Sequence, residues 1–161
     1  MKEFNGFGLF AAHLMRTAAI GEEVSHHITK EAAEIVQDDA QARLGIYQDH
    51  IGPFNAWEPL ADSTVAERVN KGLTPNDPLV RTGDLRDTIL ITQQGGEAVV
   101  GSDSEIARYQ EQGTERIPPR PFLGPAGFAS RRRIVVLATN TVVAWVAGRG
   151  WHRPAQLVRL P

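Results

Sequence analysis

Apolar residues recur every three or four positions through the N-terminal third of the chain, the spacing of an α-helix that buries one face. The pattern predicts a first helix over about Gly8 to Ala19, rich in alanine and leucine, with a break at Gly21. A longer helix is predicted from about Glu22 to Tyr47, with acidic residues in its first turn that suit the helix dipole.

Turn formers and β-branched residues organise the middle of the chain. Asp62 or Ser63 is predicted to cap a short helix that ends at Gly72. Residues 88–101 contain two β-rich segments around a turn with paired glycines, which is typical of a hairpin. A further helix is expected over Ser104 to Gln112.

Prolines and a mixed apolar segment mark the C-terminal part. Residues 114–125 contain four prolines, which predict a stiff, extended loop. Residues 126–147 have β-branched runs that favour a strand, but their length and spacing favour a helix, and we predict a helix. That spacing is carried by Phe128, Val135, Ala138, Val142 and Trp145.

These elements together predict an α+β fold. We expect N-terminal helices, a small antiparallel β-sheet with a hairpin, and a C-terminal helix packed on the sheet. Residues 1–148 are expected to form one domain with an N-terminal helical arm, and residues 149–161 a C-terminal arm or loop.

Composition excludes some classes, and charge divides the chain. The 161 residues include no cysteine, so disulfides and thiolate metal sites are excluded, and no apolar segment is long enough for a membrane span. Residues 21–63 hold nine acidic and two basic residues, a net charge of −7, whereas residues 114–161 hold eight arginines and one glutamate, a net charge of +7. The two regions are either solvated faces or surfaces that pair within one chain or between copies.

Candidate chemistry is sparse. Glu23, His27 and Glu31 are spaced by four, as are Glu22 and His26, so each set shares a helix face that a cation would fit. A solvated, charge-paired face explains the spacing better, because the His-Glu-x-x-His pattern is absent. No nucleophile motif or phosphate-binding glycine loop is present, so no catalytic, cofactor or metal residue is assigned.

An ordered set of short motifs runs from Trp57 to Pro125. Its elements are Pro78-Leu79-x-x-Thr82-Gly83-x-Leu85, Val100-Gly101-Ser102, Tyr109-x-x-x-x-Gly113-Thr114 and Pro118-Pro119-Arg120-Pro121-Phe122-Leu123-Gly124-Pro125. The set resembles the head–tail joining and tail-completion proteins of lambda-like siphophages, and it is similar to the virion morphogenesis proteins of Mu-like phages.

The resemblance implies a structural virion protein of the phage neck, present in the host cytoplasm during assembly. Copies would form a homo-oligomeric ring, expected to be hexameric, that completes the tail or joins it to the head. Its neighbours would be connector and tail-tube proteins, and DNA would pass through without specific binding. Candidate interface residues are Arg120, Phe122, Arg131, Arg132, Arg133 and Trp151; Phe122 and Leu123 are alternatively anchors of the loop to its own core.

Other classes stay open at this stage. A non-viral protein-binding adaptor or toxin–antitoxin partner is a less favoured alternative that stays open because the charge pattern alone specifies little. A metal-dependent hydrolase using His26, His27 and nearby glutamates is the more remote alternative, because the ligand set is incomplete.

Overall fold

A computed structural model describes residues 6–148, which form helices around one two-stranded sheet. The helices and strands follow in chain order: α1 (Phe7–Ala19), α2 (Gly21–Arg43), α3 (Asp62–Asn70), α4 (Asp84–Asp87), β1 (Leu90–Gln94), β2 (Glu97–Gly101), α5 (Glu105–Gln112) and α6 (Leu123–Val146). The α+β class predicted from sequence is confirmed. Residues 149–161, the expected C-terminal arm, lie outside the described residues.

Helices α2 and α6 pack against each other in antiparallel directions. Gly21, which begins α2, lies against the Trp145 ring near the end of α6. At the opposite ends, Ala40 and Leu44 share a buried cluster with Phe122 and Ala126. Trp57, Ile89 and Ala107 complete this cluster, so the main core lies where α2 ends and α6 begins.

The hairpin lies on α2 rather than on the C-terminal helix. Gln37 of α2 donates a hydrogen bond to the Ile89 carbonyl at 2.6 Å, and Gln93 of β1 donates one to the His26 carbonyl at 2.8 Å. Its strands pair antiparallel from Leu90↔Gly101 to Gln94↔Glu97 around a two-glycine turn. Helix α2 therefore lies between the hairpin and α6, which corrects the expected packing of α6 on the sheet.

Several predicted boundaries shift for identifiable reasons. Helix α2 ends at Arg43, not Tyr47, because Leu44 turns to an extended conformation and Gly45 donates its N–H to the Pro78 carbonyl at 2.8 Å. The first break falls at Ile20, so Gly21 begins α2. Helix α6 begins three residues earlier than predicted, at Leu123, with Pro125 inside its first turn where a missing N–H costs little.

Candidate assembly surfaces

A carboxylate from α5 holds the first turn of α6. The Glu111 side chain accepts hydrogen bonds from the backbone N–H groups of Phe122, Leu123 and Gly124, at 2.8, 3.0 and 2.8 Å. The first N–H groups of a helix have no partner within it, and a negative charge there is favoured by the helix dipole. Glu111 therefore fixes both the start and the direction of α6. Sequence reasoning missed this residue because no local spacing links it to residue 122.

Arg120 holds the proline loop, residues 114–125, in place from inside the fold. Its guanidinium donates to the carbonyls of Glu58 and Pro59 at 3.1–3.2 Å, while its backbone N–H donates to the Gln110 carbonyl at 2.7 Å. The Trp57 indole donates to the Pro121 carbonyl at 3.0 Å. These bonds join three segments that are distant in sequence, so the loop is held as a fixed part of the core.

The structure corrects two of the candidate interface residues. The side chain of Phe122 is fully buried and that of Arg120 is 5% exposed, so neither faces a partner. Phe122 lies in the main core and Leu123 packs against it, so both anchor the loop, as in the alternative reading. An arginine and an aromatic residue between prolines are typical of an exposed binding surface. Here, however, backbone carbonyls that are distant in sequence bind the guanidinium group.

The Pro-Leu-x-x-Thr-Gly-x-Leu step forms a tight entry into α4. Thr82 donates its hydroxyl to the Asp84 carboxylate at 2.6 Å, and Gly83 has φ +99°, a conformation that side chains disfavour. Leu79 also has positive φ, +64°, and packs with Leu85 against the main core. The motif thus brings two leucines to the core through strained backbone.

Arg68 is a buried residue that sequence reasoning did not select. It is 6% exposed and donates to the Thr74 carbonyl at 2.7 Å and to the Val80 carbonyl. It organises the loop between α3 and α4 as Arg120 organises the proline loop. The predicted side-chain cap of α3 is wrong, since Ala61 occupies the cap position and makes no side-chain bond.

The remaining motif residues shape the region around α5. Gly113 ends α5 with φ +75°, and a Cβ there would lie 3.0 Å from the Pro119 ring. Tyr109 accepts the Gly113 N–H on its carbonyl at 2.9 Å, and the Arg108 guanidinium lies 5.1 Å from its ring. Gly101 pairs with Leu90 as an ordinary strand residue and has no positive φ.

The three consecutive arginines are exposed on α6. Arg131, Arg132 and Arg133 project about 100° apart around the helix. Within residues 6–148 they take part in no ion pair, and neither do Glu22 and Glu23 at the start of α2. Both charged regions therefore have charges available to a partner. Trp151, the remaining candidate, lies outside the described residues.

Elsewhere on α2, charged side chains form local pairs with one another. His27 is 9% exposed with its Nδ1 3.8 Å from the Glu31 carboxylate, and Arg43 donates to Asp39 at 2.8 Å. Among the residues that the structure describes, no group of three or more His, Asp or Glu side chains is placed to hold a metal ion.

On α3, hydrogen bonds from Lys71 and then Arg81 lower the pKa of Glu67 below its ordinary value.

Two helices present large apolar side chains to solvent. On α1, Phe7, Phe10 and Leu14 lie on one face, and they are 84, 41 and 50% exposed. On α6, Val135, Val142 and Val146 are 63, 40 and 56% exposed. Such faces are unusual on a monomer and mark contact surfaces. Within residues 6–148, no helix is long and apolar enough to cross a membrane.

Comparison with known proteins gives one family. Residues 10–113 match the family model HK97-gp10_like, described as "Bacteriophage HK97-gp10, putative tail-component". The match takes in α1 to α5 except the first residues of α1, and it ends before the proline loop and α6. Neither the curated proteins nor the solved structures contain a match. Because the match covers well over half of the chain, this protein belongs to the HK97-gp10-like family of phage tail components.

Proposed function

We propose that this chain is a structural protein of the phage neck that forms a ring at the top of the tail. The ring completes the tail or joins it to the head, and six copies are expected. The observation that carries the proposal is membership of a tail-component family, which places the protein in the virion. The ordered motifs from Trp57 to Pro125 support the narrower position at the neck.

The surfaces suit a ring of identical copies. A closed ring needs heterologous contacts, in which one surface of a copy meets a different surface of the next. The chain offers such different surfaces: exposed acidic residues at the start of α2, and exposed arginines on α6. Connector and tail-tube proteins would contact the two ends of the ring. DNA would pass through its centre without specific recognition.

Localisation in the virion tests the proposal. We expect antibody-gold label against this chain to mark the head–tail junction of intact particles. We expect a phage with a stop codon in its gene to yield filled heads separate from tails. Restoring the gene on a plasmid is the control, and it should restore joined particles. Label along the tube or at the tail tip, or joined particles without the protein, would contradict the neck position.

A further inference from the structure

Helix α1 presents an apolar stripe to solvent, on which Phe7 and Leu14 are 84 and 50% exposed. Apolar side chains recur at heptad-like spacing on this stripe: Phe7, Phe10, Ala11, Leu14 and Ala18. The side of α1 that carries His13 and Thr17 faces the body instead. Thr17 accepts the Trp145 indole N–H on its carbonyl at 2.9 Å, and the His13 ring lies 3.3 Å from the Val146 carbonyl. An amphipathic helix normally does the reverse, so α1 is oriented to bind something else.

Helix α6 carries a second apolar stripe opposite its buried side. Phe128, Val135, Val142 and Val146 lie within about 40° of one another around the helix axis. Its buried side is occupied mainly by smaller residues, such as Ala126, Ser130 and Thr141. A helix with its bulkier apolar residues outside needs cover on that side as well.

The two stripes match in length and in the charges that follow them. Phe7 and Ala18 are eleven positions apart, and so are Val135 and Val146. Each separation corresponds to about 16 Å of helix. Glu22 lies in the first turn of α2, three residues beyond the end of α1 at Ala19, and Arg131 precedes Val135 by four residues on α6. If the two helices lie antiparallel, the valines meet the phenylalanine stripe and the arginines meet the glutamates. Neither charged set has an ion partner within residues 6–148, as described above.

We propose that α1 of one copy docks antiparallel on the outer stripe of α6 of a second copy, with Glu22 and Glu23 near Arg131 and Arg132, the two arginines that flank the stripe. The contact is heterologous, so each copy offers one α1 and one α6 face, and repetition extends or closes the assembly. The inference deepens the proposed ring by naming its contact, and it depends on that ring only for closure.

Mixing two blocked variants tests the docking. The arm variant, Phe7→Glu with Leu14→Glu, has a blocked α1 and an intact α6 face. The face variant, Val135→Glu with Val142→Glu, has the reverse. The substituted side chains are all at least 40% exposed, so both variants should keep the helical circular dichroism of the wild type. Native mass spectrometry should show wild-type oligomers, monomers of each variant alone, and a one-to-one heterodimer on mixing.

The heterodimer distinguishes this contact from others. It forms because the intact arm of one variant meets the intact face of the other, and it stops because the remaining surfaces are both blocked. Contacts of α1 with α1, or of α6 with α6, would leave one variant able to dimerise alone. A mixture that stays monomeric, a wild type that is monomeric at its highest soluble concentration, or variants that still assemble would overturn the docking.

The register has its own test because the chain lacks cysteine. The proposed antiparallel register sets Leu14 opposite Thr139, so the double variant Leu14→Cys with Thr139→Cys should form a ladder of disulfide-linked multimers under oxidation. Leu14→Cys with Leu90→Cys is the control, since Leu90 is 58% exposed but lies on the hairpin, and it should give no ladder. A ladder from the control alone, or linked monomers without multimers from the test pair, would contradict the register.

Charge reversal tests the polar part. Changing Arg131 and Arg132 to Glu should weaken low-salt assembly at least tenfold in Kd, and adding Glu22→Arg and Glu23→Arg should restore it. If the added Glu22→Arg and Glu23→Arg substitutions did not restore assembly, these arginines would not be the partners of these glutamates. If docking fails while virion labelling succeeds, the ring uses another contact. If docking succeeds while labelling is elsewhere, the neck position is wrong and the contact stands.

Discussion

The Glu111 clamp, the carboxylate that accepts hydrogen bonds from the backbone N–H groups of Phe122, Leu123 and Gly124, gives the sharpest prediction about the fold. Replacing Glu111 with Gln keeps the shape of the side chain but removes its charge and one of its two acceptor oxygens. In the native chain one carboxylate oxygen accepts from Phe122 and Leu123, and the other accepts from Gly124. A glutamine must turn its NH2 group toward one of these sites, so at least one backbone N–H faces a donor instead of an acceptor.

The structure sets the size of the effect. A hydrogen bond to a charged group contributes about 1.5–3 kcal/mol, and the charge also interacts with the helix dipole. Since the amide oxygen can still serve one or two of the three N–H groups, we expect a loss of about 2–3 kcal/mol in the free energy of unfolding. For a chain of this length that lowers the melting temperature by about 4–12 °C.

Thermal and chemical unfolding measure the loss, and Glu115→Gln is the matched control. Glu115 is exposed and lies four residues further along, and no hydrogen bond or ion pair of its side chain is seen within residues 6–148. The control should change stability by less than about 0.5 kcal/mol. Amide exchange should accelerate at Phe122, Leu123 and Gly124 in Glu111→Gln. Equal stabilities of the two variants, or unchanged exchange at these amides, would refute the clamp.

Two further substitutions test the same region. Gly124→Ala should destabilise the protein by about 1–3 kcal/mol in urea unfolding, because a Cβ there would lie 2.6 Å from the Phe54 ring, whereas Gly127→Ala should stabilise it by about 0.5–1 kcal/mol, because that Cβ meets nothing within 4 Å. The opposite order of the two stabilities would contradict this packing. Arg120→Met should cost about 2–4 kcal/mol by leaving the Glu58 and Pro59 carbonyls unpaired, while the same change at exposed Arg116 should cost little. Similar urea midpoints for the two arginine variants would instead indicate that the Arg120 side chain is exposed and contributes no stabilising hydrogen bonds.

Local patterns predicted the helices and the hairpin because those elements are set by neighbours within a few residues. Proline and glycine also marked the proline loop and the hairpin turn, whereas the break predicted at Gly21 falls at Ile20. The contacts that decide the candidate surfaces are not local. Arg120 binds carbonyls 61 and 62 residues away, and Glu111 binds a helix that begins twelve residues later across a folded loop. No spacing rule reports such contacts, which is why Arg120 and Phe122 were assigned to an interface and Glu111 was overlooked.

Helix α6 shows what the apolar pattern does and does not determine. The residues whose spacing identified it as a helix include Phe128, Val135 and Val142, and the same three are 40–63% exposed in the folded chain. The pattern thus found the correct element but not the side that this chain buries. The buried side of α6 carries Ala126, Ser130 and Thr141, and small side chains let packed helices approach closely. Because apolar stripes on helices arise where burial stabilises them, the outer stripe is best explained by burial against a partner. Glu111 and the proline loop hold the first turn of α6 to the core, and a platform fixed in this way loses little entropy when a partner docks on it.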